Sequence, residues 1–333
     1  MCDNKADCDE KVEEPTREDD WPKFLFFNYI QILTIYGLYL GVTKASFLTS
    51  LFCGFLIGLG VIGVTAGAHR LWAHRSYTAT NSLKIFLMLC HTLVGQGSIY
   101  EWVKYHRLHH EQFCTHNDPY NPTKGFIYTH VYCFIRKPTP EQEELANKID
   151  MSDLEQDSVV MFQKRYYWIL YALIMVILPL YVPLKFWHET FICTAFIVVW
   201  MRHGLILHLS WLIYSASTVL GLKKGERYPL DTNAIFLIKK KFWLQYHYLV
   251  PWDYQTGEFG NYGVDYVSKF IRVCAALDYA SDLRMIDSSG VKNALEACFK
   301  TKKNIKDCLL EENLSSSVPK DHYLRPSKFY NAS

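Results

Sequence analysis

A chain of 333 residues that is 50% apolar and 16% aromatic but only 20% charged has the length of one large or two medium soluble domains. Its formal charge of +2, without a Lys/Arg-rich arm, gives no electrostatic footprint for nucleic acid. The ten cysteines (Cys2, Cys8, Cys53, Cys90, Cys114, Cys133, Cys193, Cys274, Cys298 and Cys308) are scattered without a CxxC pair, some inside apolar runs. That excludes a disulfide framework or a zinc ribbon and fits reduced thiols on the cytosolic side.

In chain order, residues 1–20 are an acidic stretch expected to be disordered. It lacks the basic segment, short apolar core and cleavage site of a secretory signal, so the first span is expected to act as the targeting signal. Phe24 to Val42 is an apolar run interrupted by Asn28 and Gln31, and Ser46 to Gly67 is a second; Trp168 to Leu184 and Thr190 to Leu212 are a third and a fourth. At about 1.5 Å per residue each is long enough for a hydrocarbon core of about 30 Å. The links Thr43 to Ala45 and Lys185 to Glu189 are short, which predicts two tight hairpins with both termini and the long middle segment on one side. Arg136, Lys137, Lys164, Arg165, Lys223, Lys224 and Lys239 to Lys241 lie on that side while the tips carry little positive charge, so the side is read as cytosolic. Arg202, His203 and His208 are costly in lipid, and predict that the fourth helix projects beyond the membrane or faces other helices. The run Ile85 to Val94 is too short to span and is expected to be interfacial or buried. No internal repeat is visible, and residues 302–333 are expected to form a flexible tail. The fold class is all-α integral membrane: four transmembrane helices in two hairpins, with a cytosolic helical cap.

The chemistry sits at the span ends. His69 and His74 stand at the exit of the second run, and His106, His109 and His110 follow in Tyr105-His-Arg-Leu-His-His110. Positions i, i+3 and i+4 share a helix face, so the second trio aims three imidazoles at one point. The five-residue gap of the first pair puts its rings on roughly opposite faces of an α-helix, one toward each of two neighbouring metals. Imidazole suits iron, zinc or copper. A lone histidine near a membrane interface is ordinarily no ligand, and His91, His116, His130, His188, His203 and His322 are read so; two tight clusters are a different matter.

From about Trp21 to Thr301 the chain resembles the membrane acyl-CoA desaturases, stearoyl-CoA desaturase-like, of the animal and insect type. Besides the two histidine boxes, the resemblance rests on Glu101-Trp-Val-Lys104, Asn117-Asp-Pro-Tyr-Asn121, Lys124-Gly-Phe126, Met151-Ser-Asp-Leu-Glu155, Val159-Val-Met-Phe-Gln163, Pro251-Trp-Asp-Tyr254 and Gly260-Asn-Tyr262. It implies a single desaturase membrane domain over residues 21–301 and a multi-pass location in the endoplasmic reticulum membrane with cytosolic termini. It further implies a di-iron centre in a nest of about nine histidines. Such enzymes use oxygen and electrons from cytochrome b5 and its reductase to place a cis double bond, delta-9 by default, in a saturated fatty acyl-CoA held in a kinked tunnel. The implied metal ligands are His69, His74, His106, His109, His110 and His247. The implied substrate contacts are Gln96, Trp102, Ser210 and Trp211 near the kink, and Asn28, Lys104, Lys164 and Arg165 around the CoA group, whose phosphates suit lysine and arginine.

The resemblance fails in the C-terminal half. The family's third box, His-Asn-Tyr-His-His after Gly-Glu-Gly-Trp, reads Leu244-Gln-Tyr-His-Tyr248 after Lys240-Lys-Phe-Trp243. Leu244 has no donor atom, and Tyr248 offers only a phenolate. The family's Asn-Ser-Ala-Ala-His reads Tyr214-Ser-Ala-Ser-Thr218, and ten residues along a helix put His208 about 15 Å from Thr218, too far to replace it. Gly97-Ser98 and Tyr105 also replace family residues near the acyl-CoA. Roughly three of nine ligand positions are lost, so two readings stand: a desaturase still active with one metal or an altered outcome, or a catalytically silent homologue that binds acyl-CoA or pairs with an active desaturase chain.

Overall fold

The computed structural model describes residues 17–220, 247–248, 250–256, 265–286 and 288–315. Leu244 and the run Lys240 to Trp243 lie outside them, as does Gly260 to Tyr262. In chain order the helices are α1 (Trp21–Thr43), α2 (Phe47–Ala73), α3 (Asn81–Thr92), α4 (Ile99–Glu111), α5 (Phe126–His130), α6 (Pro140–Lys148), α7 (Ser152–Glu155), α8 (Ser158–Phe186), α9 (Phe191–Ala216, its helical course continuing to Leu220), α10 (Tyr266–Ala276), α11 (Ser288–Thr301) and α12 (Ile305–Ser315). Local chemistry fixes their starts. Side-chain oxygens of Asp20, Ser46, Thr80, Ser98 and Asp157 accept from the first-turn N–H groups of α1, α2, α3, α4 and α8, and Thr139 with Gln142 forms a reciprocal capping box on α6.

Among the described residues, α1, α2, α8 and α9 are the four helices long and apolar enough to cross a membrane. Two outrun the apolar runs that predict them. α8 begins at Ser158 rather than near Trp168, with a local break at Tyr166, and α2 continues past Gly67 to Ala73. Hydropathy marks where lipid ends, whereas the backbone ladder carries on into the cap. The short helix α3 covers the run that is too short to span.

α9 is the centre of the bundle: 61% of its apolar window is buried, against 17–33% for the other three. This explains its polar residues. Arg202 is wholly buried and donates to Val198 O at 2.6 Å, Leu93 O at 2.8 Å and Met175 O at 2.7 Å, so its guanidinium faces three carbonyls instead of lipid. Of the two alternatives, the helix facing other helices is the one found. α1 crosses α9 closely at two glycines: a Cβ at Gly204 would strike Thr34, and one at Gly37 would strike the Phe196 carbonyl and Met201. At the far end from the histidines, the Glu189 carboxylate accepts from Ser46 N at 3.0 Å and Thr49 Oγ1 at 2.7 Å, so the α1–α2 and α8–α9 connections lie together.

The polar elements gather at the other end. A two-residue antiparallel pairing, Thr78–Ala79 with Ala280–Ser281, ties the segment after α2 to the one after α10. Buried Arg70 donates to Tyr254 O at 2.8 Å and pairs with Asp265 at 3.1 Å, bringing α10 onto the end of α2. Parts of two segments expected to be loose, residues 17–20 and 302–315, carry structure, while 1–16 and 316–333 lie outside the described residues. Arg17 donates to the carbonyls of Pro119, Cys133, Arg136 and Lys137, so residues 17–20 lie against the cap. The expected tail from 302 contains α12, whose Cys308 and Leu309 pack with Val250, Val291 and Ala294. Apolar Ile305, Cys308 and Leu309 stand at helical i, i+3, i+4 spacing and supply the face that holds it.

Gly37→Val places branched carbons against a backbone carbonyl that cannot yield. The expected cost is about 1–3 kcal/mol, read as a thermal unfolding midpoint in detergent lowered by a few degrees. An unchanged midpoint would show that α1 and α9 do not cross there.

Candidate metal centre

His69 lies near the end of α2, where the backbone widens from α to π winding over Gly63–Ala73. The His74 N–H donates to His69 O at 3.0 Å, an i→i+5 bond. In an α-helix a five-residue step rotates by about 140°; in π winding it returns to nearly the same face. The two rings are therefore neighbours, 4.7 Å between centroids, and not on opposite faces as the spacing predicts. The change of period is the reason. α4 adds His106 and His110 from its i, i+4 face, and His247 arrives from the C-terminal part of the chain.

The ligand atoms of His69, His74, His106, His110 and His247 all lie within 4.8 Å of one another. The Nε2 atoms of His74 and His106 are 2.9 Å apart, those of His69 and His247 3.2 Å, and those of His247 and His110 3.1 Å. Desolvation, and then the other imidazoles, hold His74 and His106 well below the usual histidine range, so both present lone pairs rather than charge. His247 Nε2 faces two other Nε2 atoms at once. One proton cannot serve both contacts. A cation can, because donors at about 2.1 Å from an ion and at right angles are about 3.0 Å apart. The five residues fit one metal ion.

His109 is placed differently. Its Nδ1–H donates to Asp118 Oδ1 at 2.7 Å, and its Nε2 accepts from the Tyr248 hydroxyl at 3.1 Å. Asp118 also accepts from Tyr120 N at 2.9 Å and Cys114 N at 3.3 Å, which fixes its carboxylate and thereby the His109 tautomer. Tyr248 stacks on Phe113 at 3.7 Å, and Tyr214 lies 5.5 Å from the rings of both His106 and His109 while packing on Tyr120 at 3.9 Å. Thr218 Oγ1 donates to Ser215 O at 2.7 Å, a bond within its own helix. Sequence reasoning misses Asp118, Tyr120 and Phe113; the Asn117-Asp-Pro string is the available signal, and only the fold shows what it serves.

The implied substrate residues divide into two groups. Gln96 accepts from Ser210 Oγ at 2.6 Å, Trp102 stacks on His106 at 4.9 Å, and buried Trp211 stacks on Phe134 at 5.0 Å. The outer group is half-buried or exposed. Lys104 pairs with Glu101 at 3.1 Å, Lys164 Nζ sits 3.3 Å over the Tyr100 ring, Arg165 lies beside Tyr166, and Asn28 donates to Phe24 O at 2.7 Å. Lys164 also lines a cavity of about 400 Å³ with Phe26, Gly97, Ser98, Tyr167 and Tyr171. His208 forms no part of the centre: its Nδ1 lies 3.0 Å from His130 Nε2, and its Nε2 is 2.9 Å from Gln31 Oε1.

Four helices able to span a bilayer, capped by a buried to half-buried histidine cluster that could hold a metal ion, mark a multi-span membrane protein. The chain is 38% identical over 290 residues to an acyl-CoA Delta-9 desaturase of Acheta domesticus, covering 86% of this chain and 81% of that protein. It is 35% identical over 280 residues to an acyl-CoA Delta(11) desaturase of Choristoneura rosaceana, covering 83% of each. To the stearoyl-CoA desaturase of Homo sapiens it is 33% identical over 287 residues, covering 85% and 79%. No protein-family model matches the chain. The chain belongs to the acyl-CoA desaturase family.

Two buried histidines outside the cluster set a pH dependence. Burial pushes His91 down to about 3, and burial with neighbouring His208 pushes His130 down to about 4. Their folded values lie below the ordinary 6.5 of the unfolded chain, so the fold favours their neutral forms. Stability is complete above the unfolded value and is lost as pH falls toward the folded ones. The unfolding midpoint in detergent is expected to be flat above pH 6.5 and to drop between there and about 4, with a shallower drop in His91→Gln. A midpoint unchanged down to about pH 4 would contradict neutral burial of both rings.

Proposed function

We propose that this protein binds fatty acyl-CoA at the cytosolic face of the endoplasmic reticulum membrane and presents the acyl chain to the histidine centre for desaturase-type oxidation. The observation that carries this is the convergence of five imidazoles beside Trp102 in a chain of this family. The four helices are read as two hairpins with both termini cytosolic, on the excess of lysine and arginine in the cap. Lys104, Lys164 and Arg165 receive the CoA phosphates, Asn28 adds a polar contact at the mouth, and Gln96 with Ser210 fixes the wall beside Trp102 and Trp211. The five histidines hold iron, and a redox-active metal there would supply the oxidising power that an unactivated C–H bond requires. Electrons come from cytochrome b5 and its reductase.

The family outcome is a cis double bond at delta-9 of a saturated chain. Relatives of similar identity include Delta-9, Delta-12 and Delta(11) enzymes, so the tunnel end of each chain must set its own position. A second reading is favoured by one observation: Tyr248 uses the His109 lone pair that a second metal would need. Under it the protein is a catalytically silent homologue that binds acyl-CoA or pairs with an active desaturase chain.

Expression in a yeast strain lacking its own desaturase separates the two. New unsaturated acyl chains and rescue of growth establish the first reading. Stable protein that gives no product but binds acyl-CoA, or co-purifies with a co-expressed active desaturase chain, establishes the second, and absence of product, acyl-CoA binding and co-purification removes both. In the binding assay, Lys104→Glu with Lys164→Glu is expected to weaken acyl-CoA about tenfold, with the loss shrinking at high salt. An affinity untouched by both charge reversals would place the CoA elsewhere.

A further inference from the structure

We infer that each chain holds one metal ion rather than a pair, and that the phenols of Tyr248 and Tyr214 take up the space and the donor a second ion would need. The inference rests on the metal-binding reading above. Paired-metal sites keep their ions about 3.5–4 Å apart and surround each with its own donors. Here five donor atoms all lie within 4.8 Å of one another, a single coordination sphere, and among the described residues no other His, Cys, Asp or Glu joins this group. Among the described residues this group contains no carboxylate or thiol that could bridge two ions.

The sixth histidine of the two boxes and the third is the natural first ligand for a second ion, and it is engaged on both nitrogens. Asp118 takes the Nδ1 proton of His109 at 2.7 Å, and the Tyr248 hydroxyl sits on Nε2 at 3.1 Å, where a metal would have to lie. Tyr248 is 9% exposed and stacked at 3.7 Å on Phe113, so its ring cannot swing clear without breaking that stack. Tyr214, 1% exposed, closes the other side against Tyr120 and the rings of His106 and His109. The Thr218 hydroxyl is turned to its own helix. Position 244 is a leucine, which brings no donor wherever it lies. The two tyrosine substitutions of the C-terminal half therefore meet at His109 and border His106, His110 and His247, while the five-donor group keeps all its imidazoles.

The full chain, purified in detergent, stripped with a chelator and titrated with ferrous iron under argon, is expected to saturate at about one iron per chain by elemental analysis after gel filtration. His74→Gln is expected to lose at least about tenfold in iron affinity, as removal of a first-contact imidazole should, whereas His109→Gln keeps the same ratio and affinity. A ratio of two iron ions overturns the inference, and so does loss of iron from a His109→Gln chain that still melts cooperatively. A ratio of zero in cooperatively melting wild-type protein removes the metal-binding reading itself, and this inference with it. If His109→Gln does not fold, Tyr248→Phe gives the same decision: it removes the hydroxyl from His109 but adds no donor, so the ratio stays at one.

Discussion

The winding of α2 sets the geometry of the histidine cluster at its C-terminal end. An α-helix would send His69 and His74 to different faces, and the cluster would need a second scaffold to collect them. Loosening the last eleven residues of the helix, Gly63–Ala73, to the π period instead sets the two imidazoles edge to face on the side that α4 approaches. The close packing at Gly63, where a Cβ would collide with the backbone of Cys90 and His91, lets α3 lie against this widened segment. Five rings are then confined in one buried to half-buried volume, where His247 Nε2 faces two other ring nitrogens at once. That crowding of ring nitrogens is what could hold a metal ion, and the pairing of His69 with His74 in it follows the backbone period of the helix end.

Around it the cap is held by guanidinium groups. Arg70 reaches across to Tyr254 and Asp265, and Arg107 binds Asp153 at 2.7 Å while donating to the carbonyls of Trp72 and Asp150. Both arginines follow a histidine directly in sequence, so each clamp fixes the backbone that aims a neighbouring imidazole. A buried arginine–carboxylate pair such as Arg70–Asp265 contributes little net stability against desolvation, but removing one partner would leave the other charge buried and unpaired.

Much of this is legible in the sequence. Apolar run length exposes the four spans, and the i, i+3, i+4 spacing in Tyr105 to His110 exposes one face of the centre. Helix ends are less legible, since the ladder of α8 starts in a polar stretch that hydropathy cannot assign. The π segment is not legible at all: Gly63 to Ala73 reads as ordinary apolar helix, and the wider period depends on packing against α3. For the same reason the different fates of His109 and His110, adjacent in sequence, cannot be told apart from spacing. One faces the cluster and the other faces Asp118 and Tyr248, the second of them distant in the chain. The substitutions at 214, 218 and 248 are visible as departures, but that the two tyrosines close on the same histidine is a fact of three dimensions.

Arg202 has a consequence for biogenesis. A segment with arginine at mid-helix is disfavoured for membrane insertion by about 2.5–3.5 kcal/mol when it enters lipid alone. The guanidinium's carbonyl partners outside its own helix are Leu93, after α3, and Met175, in α8, both made earlier by the ribosome. The last of the described spans thus inserts at lower cost beside those already made than alone, because they offer its guanidinium the two carbonyls it would otherwise lack in lipid.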